Sequence, residues 1–201
     1  MKKDYTFFPI TFKSNLDFKM YLSLPLFTDS ECDSILLKWD KKRANYKEHK
    51  KSSGNITRKC DIQWVDWYES GWDWVFEKIS DIIEEANKEI FKFELSSPCT
   101  FNSIQFTKYN KNNYYNPHTD WHGENENHDI RKLSFSINLS KENNYVGGGL
   151  GIDTKGNSFE ATTNKRGYIN IFPSFLRHQA SKIEEGERFT LVGWVVGPPF
   201  K

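Results

Sequence analysis

His118 and Asp120 stand two residues apart at the end of a run, Tyr114 to Asp120, that reads as a β-strand. Strand side chains repeat with period two, so both point to one face, and a neighbouring imidazole and carboxylate can hold one metal ion. A polar strand end entering a surface turn carries the same triplet, so the pair gains meaning only from residues further along the chain. Tyr168-Ile169-Asn170-Ile171-Phe172-Pro173 reads as a further strand and turn; His178 comes next, then Arg188, which opens a last aromatic and β-branched strand through Trp194. Two imidazoles and one carboxylate on one side of a metal leave its other positions open to reactants. Arg188 offers a permanently charged planar fork suited to gripping a carboxylate. Beside the acidic turn Glu184-Glu185-Gly186-Glu187 it also reads as a surface arginine.

Other residues compete for the same chemistry. His118-x-Asp120-x-His122 would present three ligands, a conceivable zinc site, if the strand ran on straight. Gly123 and the polar run Glu124-Asn125-Glu126-Asn127 end the strand instead, which places His122 and His128 in a loop. His49 has no partner in the pattern. Gly147-Gly148-Gly149 could cradle a phosphate, but no helix start comes after it and Leu150 resumes a strand, so a sheet turn is the better reading.

The elements that must position these residues are legible from periodicity. Thr28-Asp29-Ser30-Glu31 has capping-box spacing, and Cys32, Ile35, Leu36 and Trp39 lie beyond it on one helical face, which predicts a helix from about Asp29 to about Lys42. Trp72, Val75, Phe76, Ile79, Ile82, Ile83, Ala86 and Ile90 form a second apolar stripe opposite Glu77, Lys78, Asp81, Glu84 and Glu85. Between the helices, Lys41 to Gly54 is basic and aperiodic and reads as a mobile loop. After Pro98 come short β-type runs: Phe101 to Tyr109, Tyr114 to Asp120, Lys132 to Leu139, Gly149 to Asp153, Tyr168 to Phe172 and Phe189 to Val196. So many short strands predict an antiparallel sandwich or barrel, with the helices as supports for a sheet. The chain is expected to form one domain over 1–201, with 1–98 as helical support together with further flanking strands and 99–201 as the β core.

Composition bounds the function. Lys plus Arg is 28 and Asp plus Glu is 27, so with a formal charge of +1 any electrostatic function is local, and a global affinity for nucleic acid or membrane is not indicated. The hydrophobic fraction is 37%, but aromatic residues make up 16%, which argues for a folded chain. Three cysteines, Cys32, Cys60 and Cys99, indicate neither a disulfide framework nor a cysteine zinc site. Met1-Lys2-Lys3 is followed by Asp4, and Phe7-Phe8-Pro9-Ile10 is too short for a signal h-region, so a cytoplasmic location is expected.

Taken in order, these residues resemble the 2-oxoglutarate and Fe(II)-dependent dioxygenases, in particular the prolyl hydroxylase group. The pattern is carried by Tyr109, Tyr115, His118, Asp120, Arg131 to Leu139, Tyr145 to Leu150, Phe172-Pro173, His178, Arg188 and Trp194. Upstream, Arg58 to Trp64 looks like the strand that flanks the substrate in oxygen-sensing relatives, with Cys60 where those carry an acidic residue. The resemblance implies an α+β fold with a double-stranded β-helix, or jelly-roll, core. It implies Fe(II) held by His118, Asp120 and His178, and 2-oxoglutarate bound by Arg188 with Tyr109, Asn138 and Leu133 nearby, with Ile152 and Ile171 supporting the pocket; a place in the core is the favoured reading for Leu133, Ile152 and Ile171, and Tyr109 also reads as a buried core tyrosine. Asn138 falls where some relatives carry a hydroxylated side chain. Arg58, Trp64, Tyr115 and Trp194 would face the substrate, a peptide or protein, with O2 as second cosubstrate and ascorbate as reductant. Hydroxylation of a free amino acid and a metal-binding barrel without catalysis are the alternatives; oxidative demethylation of nucleic acid is disfavoured because no second Arg lies beyond Arg188.

Overall fold

The computed structural model describes residues 20–50, 56–96, 102–121, 129–156 and 158–200. Helix α1 (Asp29–Leu36) starts as its sequence dictates: the Thr28 hydroxyl accepts from the Glu31 amide, and the Thr28 amide donates to Glu31 Oε2 at 2.8 Å. It ends at Leu36, short of the expected Lys42, with Leu37 as its C-cap residue, 88% exposed. The chain turns so that Trp39 can pack edge-on against Phe106 and Phe189 at 5.0 and 5.4 Å. Helix α2 (Asp73–Ala86) buries Val75, Phe76, Ile79, Ile82, Ile83 and Ala86, the predicted stripe, and runs on into a π-helical turn, Asn87–Phe91, that contains Ile90.

Thirteen strands are present among the described residues: β1 (Leu22–Pro25), β2 (Asn45–Lys50), β3 (Ile56–Asp66), β4 (Ser103–Tyr109), β5 (Tyr114–His118), β6 (Ile130–Asn138), β7 (Tyr145–Gly147), β8 (Leu150–Asp153), β9 (Phe159–Ala161), β10 (Tyr168–Pro173), β11 (His178–Ala180), β12 (Ile183–Gly186) and β13 (Arg188–Gly197). The main sheet runs β1-β10-β6-β13-β4-β3-β5-β11-β8-β9 with β2 on the free side of β3, every pairing antiparallel, and β7 with β12 makes a separate ribbon. β3 is the hinge of the curl: Asp61 to Asp66 pair with β4, while Arg58 and Lys59 pair with Tyr115 and Tyr114 of β5. The expected jelly-roll core with supporting helices is the architecture found.

Period two divides the long strands into two unlike faces. Leu133, Phe135 and Ile137 of β6, Ile169 and Ile171 of β10, Leu191 and Val195 of β13 and Ile104 and Phe106 of β4 join the buried faces of α1 and α2 in one apolar cluster. Burying each such side chain stabilises the fold by about 1.5 to 3 kcal/mol. The alternate residues, Ser134, Ser136, Asn138, Asn170, Gln105, Thr107, Arg188 and Thr190, are buried and polar, and they face into the roll. A polar interior is costly unless it is hydrogen-bonded or serves a ligand.

The Lys41 to Gly54 segment departs from expectation, since Asn45–Lys50 is strand β2, in register with β3 from Asn45↔Ile62 to Lys50↔Ile56. It carries no apolar alternation because it is an edge strand, where charged residues are the norm, and Tyr46 and Lys47 are exposed. The acidic turn before Arg188 is likewise strand β12, paired with β7. No helix of the described residues is long and apolar enough to cross a membrane.

Candidate metal centre and its cavity

The centre is assembled across a strand pair. His118 closes β5 and His178 opens β11, and the two residues are direct partners in the antiparallel register, so their rings meet with centroids 4.2 Å apart. Asp120, two residues past His118, is fixed by its amide, which donates to the Ser174 carbonyl at 3.0 Å. His118 Nε2 lies 3.5 Å from Asp120 Oδ1, and His178 Nε2 lies 3.3 Å from Asp120 Oδ2.

Both imidazoles are held by their other nitrogen. His118 Nδ1 is 2.8 Å from the Asn116 carbonyl and His178 Nδ1 is 3.0 Å from the Leu176 carbonyl. A carbonyl can only accept, so each Nδ1 carries the proton and each Nε2 turns a lone pair toward Asp120. The Ser134 hydroxyl donates to Asp120 Oδ2 at 2.8 Å and lies 2.9 Å from the Ser174 hydroxyl. Against the cost of burial, the His118 and His178 side chains beside it, in the form that carries a proton on Nε2, hold the Asp120 carboxyl well below the usual carboxylate range; a metal ion at the two Nε2 lone pairs takes the place of those protons. Burial pushes the His118 imidazole below its ordinary value. At neutral pH Asp120 is therefore anionic and His118 neutral, the forms that bind a cation.

This donor set fits a metal. One ligand atom from each of the three residues lies within 4.8 Å of the others, in the two-His, one-carboxylate combination that suits a first-row divalent ion with open positions.

The three residues line one wall of a cavity of about 520 Å³, counted to its open mouth. Arg188 closes the far end at 2% exposure. Its Nε donates to Asn138 Oδ1 at 3.3 Å and its Nη1 to the Gly148 carbonyl at 2.7 Å, and no carboxylate pairs with it among the described residues. Asn138 is aimed by its own amide, which donates to the Ser140 and Asn164 carbonyls at 2.8 and 2.6 Å. Gly148 must be glycine, since its φ is +68° and a Cβ would lie 2.1 Å from Ile183 Cδ1. Tyr109, paired with Arg188 in the β4–β13 register, lines the same end, and burial pushes its phenol far above the ordinary value. Thr190 is two residues beyond Arg188 on the same strand face, and its buried hydroxyl finds no partner among the described residues. Sequence reasoning passed over Thr190 and Ser134, although the period-two rule applied to Arg188 and Asn138 points to both.

Leu133 requires correction. Expected at the pocket, it lies fully buried in the apolar cluster under the helices and does not line the cavity, while its neighbour Ser134 turns to Asp120. Ile171 belongs to that cluster as well, and Ile152 packs with Leu150, Phe172 and Leu176.

At the mouth, Arg58 lies with its guanidinium carbon 4.6 Å over the Tyr115 ring, whose own plane stacks on His118 at 3.5 Å and 15°. Trp194 lines the mouth, and Trp64, 44% exposed, sits 6.4 Å from it. Arg131, not singled out from sequence, rests 4.1 Å over the Trp194 ring. Cys60 lies beneath Arg58 and accepts from its Nε at 3.0 Å. His122 and His128 fall outside the described residues.

Residues 104–196 match the 2OG-Fe(II) oxygenase superfamily. PKHD-type hydroxylases are among the proteins the chain is similar to. One from Prochlorococcus marinus (strain MIT 9515) is 35% identical over 128 residues, 60% of this chain and 54% of that protein. Another, from Synechococcus elongatus (strain ATCC 33912 / PCC 7942 / FACHB-805), is 30% identical over 59% of this chain and 54% of that protein. The chain thus aligns with about half the length of these curated relatives. Among solved structures, a Pseudomonas putida prolyl-4-hydroxylase superposes with a TM-score of 0.69 at 16% identity, covering 92% of this chain and 96% of that one. A prolyl hydroxylase from Trichoplax adhaerens, in complex with a hypoxia inducible factor oxygen degradation domain peptide fragment, superposes with a TM-score of 0.67 at 15% identity, covering 90% and 84%. At these identities the structural likeness establishes the fold.

Proposed function

We propose that the chain is a 2-oxoglutarate- and Fe(II)-dependent hydroxylase whose substrate is a prolyl residue of a peptide or protein. The observation that carries the reading is one cavity with the His118, Asp120 and His178 donors on its wall and the buried, carboxylate-free Arg188 at its closed end. A lone charge in such a place costs several kcal/mol unless an anion meets it, and the distal carboxylate of 2-oxoglutarate has the required charge and planarity. In this reading His118, Asp120 and His178 hold Fe(II), Arg188 orients the cosubstrate with Asn138, Tyr109 and Thr190 beside it, and Arg58, Tyr115, Trp64 and Trp194 meet the substrate. Bound iron and 2-oxoglutarate supply the oxidising chemistry, in which C–H, O2 and 2-oxoglutarate become C–OH, succinate and CO2.

The chain's own residues do the positioning. The carbonyls of Asn116 and Leu176 keep the Nδ1 protons in place, Ser134 holds the ligand carboxylate, and Leu150, Phe172 and Ala180 make the cavity wall apolar around the centre and limit its water. One apolar cluster spans both helices and the outer strand faces, so helices and roll act as a unit. The prolyl assignment draws support from the PKHD-type relatives and from the peptide bound by the Trichoplax protein.

The test is succinate formation by the purified chain with Fe(II), 2-oxoglutarate and O2, together with mass analysis of prolyl peptides for one added oxygen. Metal binding without succinate would leave a non-catalytic barrel. Oxygen gained by free proline and not by peptides would move the substrate to the small-molecule class.

A further inference from the structure

The chain has six arginines. Three lie away from the cavity and each meets a carboxylate: Arg43 with Glu69, Arg166 with Asp29 and Asp33, and Arg177 with Asp153. Of the other three, Arg58 and Arg188 line the cavity and Arg131 lies over Trp194, which lines it, and none forms an ion pair with a carboxylate among the described residues. Under the proposed function, the cosubstrate answers Arg188, while Arg58 and Arg131 have no carboxylate partner among the described residues at the side where substrate enters.

The surroundings of both are neutral or already committed. Arg58 donates to Cys60 Sγ at 3.0 Å and Gln105 Oε1 at 2.8 Å; burial pushes the Cys60 thiol up, so its sulfur brings no negative charge. The Asp120 carboxylate acts on Arg131 electrostatically, but it belongs to the metal centre, where a cation would take up its charge. Each guanidinium sits over an aromatic ring, Arg58 over Tyr115 and Arg131 over Trp194, and both act electrostatically on Tyr115. Arg58 has its Nε and one Nη engaged by Cys60 and Gln105, whereas the Arg131 guanidinium makes no hydrogen bond among the described residues and keeps its N–H groups for a carboxylate.

We propose that the mouth selects a substrate with an acidic side chain next to the oxidised residue, bound by Arg131 with Arg58 in support; this rests on the hydroxylase reading of the same cavity. A peptide carboxylate suits this mouth better than a nucleic acid, which needs cations tracking successive phosphates where the mouth offers two at one place.

The test uses the chain loaded with Mn(II) and 2-oxoglutarate, without Fe(II) or O2, and three fluorescent peptides with a central proline that differ only in the flanking residue: Glu, Gln or Lys. The Glu peptide should bind more tightly than the Gln peptide by about tenfold or more, the scale of a hydrogen bond to a charged group, and the Lys peptide more weakly still. Arg131→Gln should erase the difference and Arg131→Lys restore part of it. Equal binding of Glu and Gln peptides to the unaltered chain overturns the proposal without any variant having to fold, as does no binding of any of the three. Displacement by a single-stranded oligonucleotide at concentrations where acidic peptide does not compete overturns it in favour of nucleic acid. Selective binding of the Glu peptide with no oxygen gained on adding Fe(II) and O2 upholds the acidic subsite and removes the prolyl assignment instead.

Discussion

Asp120 carries more of the centre than either histidine, because it answers both imidazoles and is itself held by Ser134 and the Ser174 carbonyl. Alanine at His118, Asp120 or His178 should each abolish turnover and metal uptake, whereas His122→Ala should keep most of the metal affinity; comparable loss in His122→Ala, measured by metal titration, would reassign the ligands. Ser134→Ala should weaken metal binding by about 10- to 100-fold, the usual effect of removing a partner that orients a ligand. If its metal affinity equals that of the unaltered chain, the Ser134 bond does not hold the carboxylate. Arg188→Met should cost about 2 to 5 kcal/mol of cosubstrate binding, since it removes one side of a desolvated charge pair. Its apparent requirement for 2-oxoglutarate should rise by orders of magnitude while metal binding survives, and an unchanged requirement would put the distal carboxylate elsewhere. At this scale the sequence pointed to His118, Asp120 and His178, which the structure brings within 4.8 Å of one another, and to Arg188, which lines the same cavity. It did not single out Arg131, and it left Leu133 between pocket and core, because which residues of β6 point inward depends on a register that only the neighbouring strands set.

The β2–β3 hairpin is the element whose reading the structure changed most. A polar edge strand and a polar loop are alike in composition, and only the pairing with β3 separates them. That pairing ties β2 to the strand that carries Arg58 while leaving the metal centre on β5 and β11 and Arg188 on β13 untouched. Deleting Lys47 to Ser53 should therefore impair oxidation of a peptide while nearly sparing the substrate-independent decarboxylation of 2-oxoglutarate, both tracked as succinate. Equal loss of the two in a folded variant would mean that the hairpin supports the core. Helix α2, by contrast, was legible from its stripe, since a 3.6-residue period is a local property and the sheet beneath it merely supplies an apolar partner.

Across the whole molecule the centre joins strands distant in sequence, so a ligand held there should stabilise the fold as a unit. Metal at about 100 times its dissociation constant adds about 2.7 kcal/mol. For a chain of this length that raises the melting temperature by roughly 5 to 10 °C, and a chelator should reverse it. Asp120→Ala should lose this rise and Arg188→Met should keep it, with only the further increment from 2-oxoglutarate missing; a chelator-insensitive melting curve for the metal-loaded chain would show that the ion does not bind where the triad lies. What the sequence determined by itself was periodic or local: the capped start of α1, the apolar stripe of α2, most of the core strands, and the His118-x-Asp120 pair that one strand end presents. What the tertiary structure decided was every meeting across the chain: His178 against His118 through the β5–β11 register, Arg188 beside Asn138 and Gly148, Arg131 on Trp194, and β2 as strand instead of loop. The reason is physical: side-chain period is fixed by local backbone geometry, whereas the partner a residue meets depends on which strands the roll brings together.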